Sequence, residues 1–203
     1  MESIKIHDKS FVPFILKDDI DNRIAGIASE LENKFKNKQP VFLIVLNGAS
    51  FFGVDLLKKY RQPCSIQFLR LKSYEGTDST GNVKSIGNMP ENLKGRDIVI
   101  LEDIVDTGLT MNFLKYKLEE EGVGSITIVT LLDKPSRRVQ DVKVEVVGFT
   151  IPDVFVVGYG LDYDDLGRNT EHIYKLSDNI KSEYPPNNFR KILKLMENRH
   201  PIR

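Results

Sequence analysis

The run Ile98–Met111, reading I-V-I-L-E-D-I-V-D-T-G-L-T-M, leaves few folds open to the chain that contains it. Ile98 to Leu101 is an unbroken apolar run after Gly95, the form of a strand buried on both faces, which belongs to a parallel sheet covered by helices. Glu102 and Asp103 follow at its carboxyl end. Small and hydroxyl residues occupy Asp106 to Thr110, and beyond them Met111, Leu114 and Leu118 recur at helical spacing. The plan of strand, turn and helix recurs upstream. Val41 to Leu46 is apolar throughout, Asn47-Gly48-Ala49-Ser50 turns, and Phe51, Phe52, Val54, Leu56 and Leu57 are expected to face a core from the helix that follows. Two such units predict an α/β fold, a central and mainly parallel sheet flanked by helices.

The order of parts in Ile98–Met111 also has chemical content. A loop entering a helix presents free backbone N–H groups and the positive end of the helix dipole, which suits a phosphate. Thr107, Gly108 and Thr110 are fitting types for it, glycine for close approach and the hydroxyls as donors. Two carboxylates beside a bare phosphate would repel it. Glu102 and Asp103 must therefore face something else on the same ligand, a vicinal diol or a divalent cation. A sugar with a phosphate at one end and a diol in the middle meets both needs.

Elsewhere, Ile20, Ile24, Ile27, Leu31 and Phe35 mark one face of a helix that Asp18 or Asp19 can cap. Cys64–Lys72, Ser125–Leu132, Val142–Phe149 and Val154–Tyr159 read as strands. Ser73–Met89 is the longest unpatterned segment, of a length that reads as either a functional loop or a disordered one. Lys134 ends a strand, where open α/β sheets hold ligands, and reads equally as a solvated turn lysine, whereas Arg137 and Arg138 read as a solvated face. Asp162, Asp164 and Asp165 gather in a loop before Arg168, and Ser182–Arg203 carries the pattern of a C-terminal helix with Phe189, Ile192, Leu193 and Met196.

Length and charge bound the reading. The 203 residues fit one domain, 1–203, with its core at about 40–160, and 29 basic against 29 acidic residues give no electrostatic reason to expect nucleic acid or a membrane. Met1 to Lys9 is too polar for a signal peptide, so a cytoplasmic location is expected. Cys64, the single cysteine, rules out an internal disulfide and reads as a buried strand thiol. His7, His172 and His200 lack ligand spacing.

Leu101–Met111, with two adjacent acids, two apolar residues and Asp-Thr-Gly, resembles the ribose-phosphate signature of type I phosphoribosyltransferases, and among them the hypoxanthine-guanine enzymes. The likeness runs from about Val41 to Ile173. It implies the type I fold, with a small hood lobe built from the chain ends. It further implies Mg2+, phosphoribosyl pyrophosphate and a 6-oxopurine base as ligands, and a homodimer or homotetramer. Residue by residue, Glu102, Asp103, Thr107, Gly108, Leu109 and Thr110 match the ribose-phosphate site, and Asp106 the residue that takes a proton from the purine. Asn47, Gly48 and Arg168 match pyrophosphate contacts, and Ser73 and Tyr74 the start of the catalytic flexible loop. Lys134, Phe155, Val156 and Asp162 match the purine site, with Glu102, Asp103 and Asp162 around the metal.

Three departures qualify the match. Asn47 stands where many relatives have lysine or arginine, Leu109 where some have lysine, and the tail beyond Lys181 matches nothing assigned. Two other readings stay open. One is a regulator that binds phosphoribosyl pyrophosphate as a signal and contacts nucleic acid, against which stand the balanced charge and the lack of a helix-turn-helix extension. The other is an enzyme of the same family preferring a different base, such as xanthine.

Overall fold

The computed structural model describes residues 2–73, 83–85 and 89–177. Its centre is a sheet in the order β5-β4-β3-β6-β7-β8, formed by β3 (Val41–Leu46), β4 (Ser65–Ser73), β5 (Val83–Ser85), β6 (Asp97–Val105), β7 (Ser125–Asp133) and β8 (Val146–Thr150). All of these run parallel except β5, which pairs antiparallel with the end of β4. The sheet is parallel because α1 (Lys17–Lys34), α2 (Ser50–Lys59) and α3 (Leu109–Glu120) cover both of its faces. Ile20, Ile24, Ile27 and Leu31 of α1, with Phe52 and Leu56 of α2, pack on Phe42, Ile44, Val99 and Leu101. Met111, Leu114 and Leu118 of α3 pack on Leu43, Ile98, Ile100 and Ile128. The apolar runs of β3 and β6 thus divide residue by residue between two layers, as a doubly covered strand must.

A second sheet, antiparallel, joins the two ends of the described chain. β1 (Ile4–Ile6) and β2 (Lys9–Ile15) form a hairpin, and β10 (Ile173–Leu176) pairs β2 on one side and β9 (Val156–Val157) on the other. Ile6, Phe11, Val157 and Tyr174 make its core. This is the hood lobe expected of the chain ends, although it also recruits β9 from the interior of the sequence.

Several local expectations change. Leu16, not Asp18 or Asp19, precedes the first turn of α1, and no side chain caps it; both acids lie inside that turn, where they favour the helix dipole. Phe51 and Val54 of α2 are exposed while Phe52 and Leu56 are buried, since a helix against one sheet buries one stripe only. Val83–Ser85 is strand within the segment read as unpatterned, and its backbone passes close to α3. The strand read at Val142–Phe149 begins at Val146, because Val142 instead packs into the α3 layer beside Gly108. Of Val154–Tyr159 only Val156–Val157 is strand, and it joins the hood, since Gly158 (φ +98°) and Tyr159 (φ +48°) leave the extended region at once. Tyr74, most of Ser73–Met89 and the whole of Ser182–Arg203 lie outside the described residues. Among the described residues no helix is long and apolar enough to cross a membrane.

Cys64 precedes β4 rather than lying in it and is half-buried against the larger core, while Ile66 and Phe68 on the same strand are exposed. Burial pushes its thiol above the ordinary cysteine range. Because the thiolate is the nucleophile, Cys64 should react with iodoacetamide at pH 8 several-fold more slowly than a free thiol, and at the free rate in urea. Equal rates with and without urea would show that the packing gives no protection.

Candidate active site

The site is built where β6 emerges from the sheet. Up to Leu101 its side chains alternate between layers, Val99 and Leu101 on one and Ile98 and Ile100 on the other. Past the acids the parity reverses, so that Ile104 packs with the first layer and Val105 with the second. Glu102 and Asp103 sit at this break, and both line one cavity of about 180 Å3 with Val45, Leu46, Gly48, Leu71 and Thr110. Strict alternation would have sent one of them to the opposite face.

Glu102 is 8% exposed, and its Oε2 has no hydrogen-bond partner. Burial first, and the neighbouring Asp103 second, hold its carboxyl well above the usual range. Asp103 is half-buried; burial pushes it up to about 6, against the pull of the Ile104 N–H, which donates to its Oδ1 at 2.8 Å, and of the Arg168 guanidinium. Two acids so placed favour a ligand that brings hydrogen-bond donors or positive charge. Oxygen ligands suit a hard divalent ion, yet among the described residues no group of three or more His, Cys, Asp or Glu converges to hold one. A cation here would need oxygens from the ligand it accompanies.

The turn after β3 closes one wall. Leu46-Asn47 is a cis peptide, Asn47 is exposed, and buried Gly48 lies so close to the Asp103 carboxylate that a Cβ there would collide with Oδ2. Gly160 stacks on the other side, where a Cβ would collide with the Gly48 carbonyl. The 158–168 loop is therefore in backbone contact with the turn that touches the acid. Arg168 Nη1 donates to Gly160 O at 2.7 Å, and Nη2 pairs with Asp162 Oδ1 at 2.7 Å. The Asp165 N–H donates to Asp162 Oδ2 at 2.9 Å, so both oxygens of Asp162 are already engaged.

The opposite wall is the loop from Asp106 into α3. Gly108 caps the helix in the left-handed region (φ +83°), and Leu109 begins it. The segment after β7 pins this loop from outside: Val139 and Gln140 N–H donate to Thr107 O at 3.0 and 3.1 Å, and Arg138 Nη1 donates to Val105 O at 2.8 Å and to Asp106 O at 2.5 Å. Arg138 Nη2 also pairs with Asp133. Arg138, read in the sequence as solvated, is thus partly buried and structural; only its spacing from Asp133 hinted at this. Arg137 keeps an exposed side chain but pairs with Asp106 (Nε to Oδ1, 3.3 Å) and Asp153 (3.7 Å). Lys134, at the end of β7, is 7% exposed with a long ion pair to Asp153, 3.9 Å.

Phe155 lies just before β9, its carbonyl accepting from Leu176 N–H at 2.9 Å. The ring is 44% exposed and meets Tyr163 edge-on at 5.7 Å, with Phe11 at 6.2 Å behind the pair. Taken alone this aromatic would be expected in the core. Val156 is buried. Glu102, Asp103, Gly48 and Thr110 thus share one cavity, Arg168 and Asp162 act electrostatically on Asp103, and Asp106 and Lys134 are joined through Arg137 and Asp153. Ser73 ends β4, and Tyr74 lies outside the described residues.

The raised acids give a pH signature. A carboxyl with a higher pKa folded than unfolded stabilises the fold fully below the unfolded value, and that stability is lost as pH rises through the folded value. For Asp103 the window runs from 3.8 to about 6. Ligand-free protein should lose about 1–2 kcal/mol, roughly 3–6 °C in Tm, between pH 5 and 7.5 relative to the Glu102→Gln/Asp103→Asn double variant. Parallel melting curves for the two proteins across that range would refute the burial argument.

The chain matches the phosphoribosyl transferase domain over residues 16–164. It is 41% identical over 160 residues to the hypoxanthine-guanine phosphoribosyltransferase of Bacillus subtilis, covering 78% of this chain and 89% of that one. With the Staphylococcus aureus enzyme of the same name it shares 39% over 169 residues, 83% of this chain and 94% of the other. A crystal structure of a hypoxanthine phosphoribosyltransferase from Staphylococcus aureus superposes with a TM-score of 0.79 at 38% identity, covering 84% and 94% of the two chains. One of a Bacillus anthracis hypoxanthine-guanine phosphoribosyltransferase, with a HEPES molecule in the active site, gives 0.77 at 33%, covering 82% and 96%. Fold and sequence agree, and the chain belongs to the phosphoribosyltransferase family, within it to the hypoxanthine-guanine phosphoribosyltransferases.

Proposed function

We infer that this chain is a purine salvage enzyme. It transfers the 5-phosphoribosyl group from phosphoribosyl pyrophosphate to N9 of hypoxanthine or guanine, giving IMP or GMP and pyrophosphate. The observation that carries this reading is the cavity in which Gly48, Glu102 with its unpartnered Oε2, Asp103 and Thr110 meet. A ribose diol answers the acids, a 5-phosphate the loop into α3, and a pyrophosphate the Gly48 turn and Arg168.

Breaking the bond between C1′ and pyrophosphate places positive charge on the ribose ring and negative charge on the leaving group. Glu102 and Asp103 hold the ribose hydroxyls close to the developing cation, and Arg168 faces the leaving group. N9 of the base then bonds to C1′, and Asp106 takes the proton that the purine ring sheds. Phe155 offers its exposed face to the base, main chain at Val156 its edge, and Lys134 the oxygen at position 6. Mg2+, bound with the substrate, supplies charge neutralisation for the pyrophosphate. The acids fit it through the orphaned Glu102 oxygen, and Asp162 through lone pairs not used by Arg168 and Asp165. The family resemblance favours a cytoplasmic enzyme, and exposed Phe51, Val54, Ile66 and Phe68 favour self-association into the homodimer or homotetramer it implies.

Protein mixed with magnesium, phosphoribosyl pyrophosphate and each free base in turn should release pyrophosphate with hypoxanthine and guanine; no release with any purine removes the reading, and release with xanthine alone changes the substrate. Asp106→Asn should lower kcat by about 10²- to 10⁴-fold with substrate binding less affected. Near-normal turnover in that variant would dismiss the proton-acceptor role.

Lys134 bears on selectivity. An ammonium has donors only, so it pairs with the oxygen of a 6-oxopurine and meets the amino group of adenine donor to donor. Lys134→Gln, whose amide donates or accepts according to its flip, should reduce the hypoxanthine-to-adenine ratio of kcat/KM by at least about tenfold. An unchanged ratio would move selection to the main chain near Val156.

A further inference from the structure

The turn after β7 places two cations in register. Pro135 opens a single 3-10 turn, Pro135–Arg137, stiffened by its fixed φ, and Arg137 N–H donates to Lys134 O at 3.0 Å. Residues three apart eclipse on such a turn, and Lys134 and Arg137 both reach Asp153, on its Oδ1 at 3.9 Å and Oδ2 at 3.7 Å. Arg137 then turns its Nε to Asp106 Oδ1 at 3.3 Å. The result is a chain of alternating charge, Asp106–Arg137–Asp153–Lys134. It joins the end of β6 to the end of β7 through an acid in the link between β8 and β9.

Main chain and side chain of Asp106 are held separately. Arg138 fixes its carbonyl, together with that of Val105. Arg137 touches only the carboxylate, and only one of its oxygens. We propose that Arg137 is a positioning residue: by holding Oδ1 it presents Oδ2 of Asp106 to the base, and through Asp153 it keeps that oxygen in fixed relation to the Lys134 ammonium. A purine pinned at its 6-oxygen by Lys134 then carries its ring proton toward an acceptor already oriented. This rests on the reading of Asp106 as the proton acceptor.

The test is a double-mutant cycle on the full chain with hypoxanthine, phosphoribosyl pyrophosphate and magnesium, using Arg137→Met, Asp106→Asn and both together, with Arg137→Lys as the conservative variant. Arg137 is half exposed and removed from the core, and circular dichroism of each variant checks the fold. Arg137→Met should lower kcat roughly tenfold while KM for phosphoribosyl pyrophosphate stays within about twofold, as expected when orientation rather than substrate binding is lost. Arg137→Lys should recover part of the loss, and in the Asp106→Asn background the methionine substitution should cost nothing further. Wild-type kcat in Arg137→Met would return this residue to a solvated face and overturn the proposal. A tenfold loss that persists in the Asp106→Asn background would overturn it too, since Arg137 would then act elsewhere. Near-normal kcat in Asp106→Asn alone is a separate failure, that of the acceptor reading, and it removes the positioning role with it.

Discussion

Two carboxylates held next to each other, Glu102 buried and Asp103 half-buried, with only the Arg168 guanidinium drawing on the second, carry a large desolvation cost, and the rest of the architecture bears on them. A strand buried on both faces is the stiffest support a small α/β domain offers, and β6 sits between β3 and β7 with helices above and below. Only such a strand can present Glu102 with an unpartnered oxygen and keep it there. Left on a loop, the same residues would turn to solvent, and their affinity for a diol or a cation would be diluted by that competition.

Much of this was legible in the sequence, for a physical reason. Apolar runs such as Val41–Leu46 and Ile98–Leu101 have few alternatives to a doubly covered strand, and a sharp change to acids and small residues marks the place where such a strand leaves the sheet. Glu102, Asp103, Gly48 and Thr110 could be singled out from local composition and the family pattern before their meeting in one cavity was seen. The hood lobe was expected only through that resemblance.

What stayed hidden was set by contacts distant in sequence. Arg138 looked like a surface cation because nothing in its neighbourhood shows that two carbonyls at the end of β6 would point at it. Phe51 and Phe52 are indistinguishable by type, and only the direction of α2 against the sheet decides which is buried. Val142 and Val144 have the composition of strand, but tertiary packing draws Val142 into the α3 layer. Asp153 carries no motif; its meeting with both Lys134 and Arg137 follows from the path taken between β8 and β9.

The contact from Gly160 through Gly48 to Asp103 has a thermodynamic consequence. No rotatable side chain intervenes between the two turns, so the spacing between the Gly160 loop and the Gly48 turn is fixed by van der Waals contact of main-chain atoms, and the Asp103 carboxylate packs directly on that turn. Main-chain conformational entropy at this wall is therefore lost when the chain folds, and little of it remains to be lost when a ligand arrives. A charged ligand settling against this wall meets a main-chain surface whose shape was set in its absence, so the ordering still to be supplied falls on the ligand and on the side chains of Asp103 and Arg168.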